Sequence, residues 1–242
     1  MAVYQDKAKD RIKSGLSRMN TIIEKGKRDS YNEADTRKIV TDILTRYLGW
    51  DQFDNLTAEQ MIGSRYADFV IKKEDDILAV IEVKQIGLKL KETHLNQARQ
   101  YATDEGIEWI ILTNGDTWNV YRNILENGIP VAKYVFSTTI SDKEEKPAEK
   151  TKKLYFLSEE SSRKHEIKEY YDRKVALSGE NLADYILSDV ILNKLRIALK
   201  NGTGQKLNNH DIAKAVVEQV FVDSLVSEDI YKRLSKIKRT IK

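Results

Sequence analysis

The chain of 242 residues has no cysteine, two prolines and three histidines. Without cysteine there are no disulfides and no thiolate-held metals, which fits a reducing compartment. His94, His165 and His210 are too scattered for a zinc-binding spacing. The opening MAVYQDKAKDR lacks the apolar centre of a signal peptide, and no apolar run is long enough to span a bilayer. The expectation is a cytoplasmic protein with no membrane partner. One-sided charge is missing too: 41 Lys and Arg face 38 Asp and Glu, a formal net charge of +3. Nucleic-acid binding would therefore have to come from local patches. There is no G-x-S-x-G. NGTGQKL (201–207) lacks the glycine spacing of a phosphate loop and the hydroxyl residue after its lysine, and reads as a helix-ending loop.

What the chain does have is 40% hydrophobic and 33% charged residues, enough for one large domain, or a medium domain with an appendage. Residues 4–25 read as an amphipathic helix with Ile12, Leu16, Met19 and Ile23 on one face. A second helix opens in YNEADTRKIVTDILTRYLGW, with Asn32 as N-cap and Gly49 as terminator. A hairpin follows in YADFVIKKEDDILAVIEVK (66–84). LKLKETHLNQARQYATDEG then gives a third helix, and IEWIILT, TWNVYRNI and VAKYVFST give three strands joined at Asn114-Gly115-Asp116 and Glu126-Asn127-Gly128. The order α, β, β, α, β, β, β predicts an α/β protein of the α+β type, a central mixed sheet flanked by helices. Residues 1–140 form the expected domain and the polar stretch 141–153 a charged linker. Residues 154–242 form a helical C-terminal region, with NLADYILSDVILNKLRIALKNG as one long helix. The last helix carries Ile230, Leu234, Ile237 and Ile241 on one face, ringed by Lys and Arg. It suits packing on the core, pairing of two copies, or contact with DNA.

The hairpin poses a chemical problem. A turn at Glu74-Asp75-Asp76 pairs Lys72 with Leu78, Val70 with Val80, and Asp68 with Glu82. Alternation then sets Asp68, Glu82 and Lys84 on one face. Two carboxylates facing each other at roughly 5 Å repel, and burial makes the repulsion worse. Lys84 answers the charge as an ion cluster. A divalent metal answers it equally well, with Lys84 left to orient or deprotonate a water. Spacing alone leaves both open.

Asp68 followed by Glu82-Val83-Lys84 resembles the D…(E)xK core of the PD-(D/E)XK nucleases, with Ala67 where the name has proline. Glu33 opens the preceding helix, and Gln97 to Tyr101 supplies a QxxxY. From about Asn32 to Asn123 the chain resembles the N-terminal nuclease domain of the R (motor) subunit of type I restriction enzymes. The resemblance implies a restriction-endonuclease-like fold and an Mg²⁺-dependent, or Mn²⁺-dependent, DNA endonuclease of a restriction, defence or mobile-element system. No ATPase motor is visible. It implies Asp68, Glu82 and the Val83 carbonyl as metal ligands, with Glu33 approaching directly or through water. Lys84 would position water or stabilise charge, and Gln97 and Tyr101 would support cleavage beside the DNA. Phosphate contacts would come from Arg65, Lys72, Lys73, Lys89, Lys91 and Arg99, each of which also suits a solvated surface. The alternative is a catalytically silent or partner-dependent DNA-binding or assembly module. A partner protein, or a second copy docked through the C-terminal helices, belongs to either reading.

Overall fold

In the computed structural model the described residues are 2–62, 65–74, 76–222, 225 and 228–237. The chain forms two compact units, Met1–Ile167 and Lys168–Lys242.

The first unit opens with α1 (Ala2–Arg28), whose Ile12, Met19 and Ile23 are buried. Helix α2 (Glu33–Asp42) begins at Asn32, whose side chain accepts from the Asp35 N–H. It continues as a π-helical turn over Ile43–Tyr47 and ends at Gly49, whose φ of +80° suits a residue without a Cβ. A Cβ on Gly15 would meet the Tyr47 ring at 2.3 Å, so α1 and the end of α2 are in close contact there.

Six strands follow: β1 (Leu56–Ile62), β2 (Arg65–Lys73), β3 (Asp76–Val83), β4 (Trp109–Thr113), β5 (Thr117–Glu126) and β6 (Ile129–Thr139). They lie in one sheet in chain order. Every neighbouring pair is antiparallel except β3 and β4, which are parallel because α3 (Glu92–Asp104) crosses between them. All five residues of β4 are buried, as a strand covered on both faces requires. On one face α3 packs Leu95, Ala98, Tyr101 and Ala102 against Val70, Val80, Ile110 and Leu112. This mixed sheet with flanking helices is the expected α/β architecture.

Three differences from the sequence reading have local causes. Strand β1 was not anticipated, because LTAEQMI places Glu and Gln where an alternating apolar pattern would show. The β2–β3 register keeps Val70 opposite Val80, but Lys72 faces Ile77, not Leu78. Leu78 is the surplus residue of a bulge, and Ile77 turns onto the α3 side. Asp75, the expected turn centre, lies outside the described residues. Finally, the polar stretch 141–153 is not a linker throughout: its residues 147–153 form most of α4 (Pro147–Tyr155), which packs on β6 and α1. The buried Lys150 amine donates to the carbonyls of Ile140 and Asp142, so a residue that reads as solvated caps the end of the sheet. The short α5 (Glu159–Ser162) follows.

The second unit takes most of α6 (Glu166–Ala176), then α7 (Gly179–Ile186), α8 (Asp189–Thr203), α9 (Asn209–Gln219) and α10 (Glu228–Lys236). Its core gathers Ala183, Leu187, Leu192, Ile212, Ala213, Val217, Ile230 and Leu234. The expected long helix is broken at Ser188, whose hydroxyl caps α8, and it ends at left-handed Gly204. Among the basic residues of α10, Arg233 pairs with Asp184 and Lys232 with Asp229. Ile241, Lys238, Arg239 and Lys242 lie outside the described residues. Among the described residues, no helix is long and apolar enough to cross a membrane.

Candidate active site

The site is assembled at the end of the sheet where β3 leaves its antiparallel partner. The β2–β3 ladder reaches Phe69 opposite Ile81. Continued by one step, that register sets Asp68 opposite Glu82. Here the Asp68 side chain joins the backbone, and its Oδ2 accepts the Val83 N–H at 2.7 Å. The Lys84 N–H donates to the Thr113 carbonyl at 2.8 Å, so β4 fixes the base of the lysine. The start of α2 covers this corner. Thr36 is fully buried. Its hydroxyl donates to the Asn32 carbonyl at 2.8 Å and accepts the Ile86 N–H at 2.9 Å, which ties the helix to the segment leaving Lys84. Glu33 and Arg37 lie one turn apart on either side of Thr36.

Three ion pairs occupy the corner, two of them made by Lys84. Lys84 Nζ lies 2.5 Å from Glu82 Oε1 and 3.7 Å from Glu33 Oε2. The Arg37 guanidinium lies 3.1 Å from Asp68 Oδ1. Glu82 is buried, Asp68 nearly so, and Glu33 half open. Burial pushes the Glu82 carboxyl up to about 7; the Asp68 charge adds to this, and the hydrogen bond from Lys84 opposes it. Burial also raises Asp68, against the pull of the Val83 N–H, Arg37 and Lys84. For Lys84, burial alone would lower the amine, but the hydrogen bond to Glu82 and the three carboxylate charges hold it above its ordinary value. It is therefore an ammonium at neutral pH. Both carboxyls are raised chiefly because burial disfavours their charged forms, and the contacts with Arg37 and Lys84 offset this only in part.

Oxygen donors without sulfur or an imidazole in contact suit a hard divalent cation. Asp68, Glu82 and the Val83 carbonyl are the residues that would hold one. Among the described residues, no three His, Asp or Glu side chains are already gathered as a metal cage. The Glu33 carboxylate lies beside the Lys84 amine.

The other expected residues are distributed unevenly. Gln97 is exposed on α3, whereas Tyr101 is buried in the core beneath it, so the QxxxY pair spans two environments. The Tyr101 hydroxyl has no hydrogen-bond partner among the described residues, and burial raises it. Lys89 is exposed on the segment after Lys84, and Lys91 is exposed at the start of α3. Arg99 is half-exposed on α3. Lys72 and Lys73 stand at the far end of β2, four and five residues beyond Asp68, roughly 13–16 Å along the strand. Lys73 lines a different cleft of about 460 Å³ with Arg11, Asp51, Glu160 and Arg163. These two lysines are not gathered with the acids. The Arg65 side chain lies outside the described residues.

Sequence reasoning missed two contributors. Arg37 reads as a solvated helix charge; the signal available was its spacing of four from Glu33. His94, set aside for want of a zinc partner, lies within the field of this corner. Burial lowers its pKa, and the charges of Lys84 and Lys91 lower it further, while Glu33 opposes them. Its Nδ1 accepts the Lys91 N–H at 3.3 Å.

No curated protein and no solved structure matches the chain. Residues 32–130, which run from the cap of α2 to the start of β6 and include every residue of this corner, match the family described as the N terminus of the type I restriction enzyme R protein.

Proposed function

We propose that this chain is a divalent-metal-dependent DNA endonuclease of restriction type. The observation that carries the reading is the buried pair Asp68 and Glu82, both raised, with the Lys84 ammonium in contact at the end of β3. The match over residues 32–130 supports DNA as the substrate. Asp68, Glu82 and the Val83 carbonyl would hold Mg²⁺, or Mn²⁺ in its place. When bound, the ion supplies Lewis acidity at the phosphoryl oxygen and lowers the pKa of a coordinated water.

The chain's own groups do the rest. Lys84, anchored through its backbone to Thr113, orients the attacking water and offsets charge as the water oxygen bonds to phosphorus and the ester P–O bond breaks, the water's proton passing to solvent and the leaving oxygen taking one from solvent. Glu33, across the amine from Glu82, keeps Lys84 in place. Lys89 and Lys91, both exposed on the segment between Lys84 and α3, are the basic side chains that would meet the DNA backbone.

The test is nicking of supercoiled plasmid in Mg²⁺. Asp68→Asn, Glu82→Gln and Lys84→Met are each expected to lower the rate by about a hundredfold or more with the fold retained. Equal trace activity in wild type and all three variants contradicts the proposal. One observation favours the second reading, partner dependence: both acids already hold cations within the chain. Duplex binding by the wild type without any nicking in Mg²⁺ is its expected signature.

A further inference from the structure

The pair between Arg37 and Asp68 has a feature that a purely structural contact would not need. Asp68 is already oriented by the Val83 N–H on Oδ2, so the guanidinium on Oδ1 is not required to aim the carboxylate. What Arg37 supplies is charge. It does so from the open side of the corner, since its side chain is 28% exposed while those of Asp68 and Glu82 are 11% and 3%.

The geometry points to Arg37 as a phosphate-binding residue that exchanges partners: it neutralises Asp68 while the site is empty, and it engages the phosphodiester once Asp68 ligates a cation. This inference rests on the metal-dependent reading above. Three arguments support it. First, Glu33, Asp68, Glu82, Arg37 and Lys84 together carry one net negative charge when all are ionised. A divalent cation turns that into one net positive charge, and a phosphodiester brings the set to neutrality, provided both basic side chains stay in the corner. Second, the two cations differ in kind. Lys84 is a compact point charge held by two carboxylates, whereas a guanidinium presents a planar fork that matches two phosphate oxygens. Third, Arg37 is placed by the part of α2 that Thr36 locks to the Ile86 amide, so its reach is fixed relative to Lys84.

The experiment uses the full chain in a Lys84→Ala background, in which cleavage is expected to be slower by about a hundredfold or more, with and without Arg37→Gln or Arg37→Lys. Thermal unfolding checks that each variant folds. Mn²⁺ affinity is measured by calorimetry, and duplex affinity by fluorescence anisotropy with and without Mn²⁺. Removal of the competing guanidinium is expected to tighten Mn²⁺ binding about tenfold. It is also expected to remove most of the gain in duplex affinity that Mn²⁺ gives the parent, and Arg37→Lys should restore part of that gain. The inference is overturned if Arg37→Gln binds Mn²⁺ no more tightly than the parent, or keeps the whole gain. If the parent itself binds no Mn²⁺, the metal reading fails and this inference fails with it. If the parent binds Mn²⁺ and Arg37→Gln behaves identically, only the exchange by Arg37 is refuted.

Discussion

Replacing Thr36 by valine tests how the site is held together without touching its chemistry. The two side chains have nearly the same shape, so no cavity opens. What disappears is the hydroxyl between the Asn32 carbonyl and the Ile86 amide. The Asn32 carbonyl keeps the Thr36 N–H at 2.9 Å. The Ile86 amide, on a residue that is 5% exposed, loses its acceptor in a place water does not reach. A buried donor left without a partner costs about 1–3 kcal/mol, so about 2 kcal/mol is expected. For a unit of this size that lowers Tm by roughly 4–8 °C. The amide exchange of Ile86 should accelerate more than that of Lys84, whose N–H still has the Thr113 carbonyl. Denaturant unfolding and hydrogen exchange read the two effects. A Thr36→Val protein within about 0.5 kcal/mol of wild type, with Ile86 exchange unchanged, refutes the view that this hydroxyl fastens α2 to the segment leaving Lys84.

Two further outcomes are expected. Glu160 is buried against Arg11, with oxygen–nitrogen distances of 2.8 and 2.9 Å; burial alone would raise its carboxyl, but the hydrogen bonds and charge of Arg11 outweigh it and hold the group below its ordinary 4.5. A depressed folded pKa gives stability that is complete above 4.5 and is lost as pH falls through the folded value, so Glu160→Gln should destabilise by about 2 kcal/mol at pH 7 and flatten the acid limb of the stability–pH curve. In duplex binding, Lys89→Ala and Lys91→Ala should each reduce the slope of log affinity against log salt by about 1, while Lys72→Ala and Lys73→Ala leave it unchanged, since the latter pair lies at the far end of β2.

Much of this architecture was readable from local pattern. Asn32 caps α2 because a short polar side chain there can reach the Asp35 amide, a purely local event. Val70 and Val80 face each other as the turn position predicted, since the surplus Leu78 offsets the shifted pairing of Lys73 with Asp76, and alternation then sets Asp68 and Glu82 on one face. The parts that were not readable depend on partners distant in sequence. Arg37 looks like any helix-surface cation until Asp68, 31 residues later, comes to lie beside it. Thr36 looks like an ordinary helical threonine until the Ile86 amide arrives. Lys150 marked its stretch as a linker by composition, because the carbonyls that accept its amine, those of Ile140 and Asp142, lie in the turn after β6, which no periodicity reveals. The bulge at Leu78 is similar: a single surplus residue leaves the hydrophobic pattern intact while shifting which side chains meet.

The most direct measurement of the central claim is anomalous scattering from crystals of the wild-type chain grown with Mn²⁺. The account predicts a peak at about 2.1 Å from a carboxylate oxygen of Asp68, a carboxylate oxygen of Glu82 and the Val83 carbonyl oxygen, with the Arg37–Asp68 contact broken. Density that shows Arg37 still on Asp68 and Lys84 still on Glu82, and no peak between the acids at a Mn²⁺ concentration that saturates other divalent-metal nucleases, contradicts it.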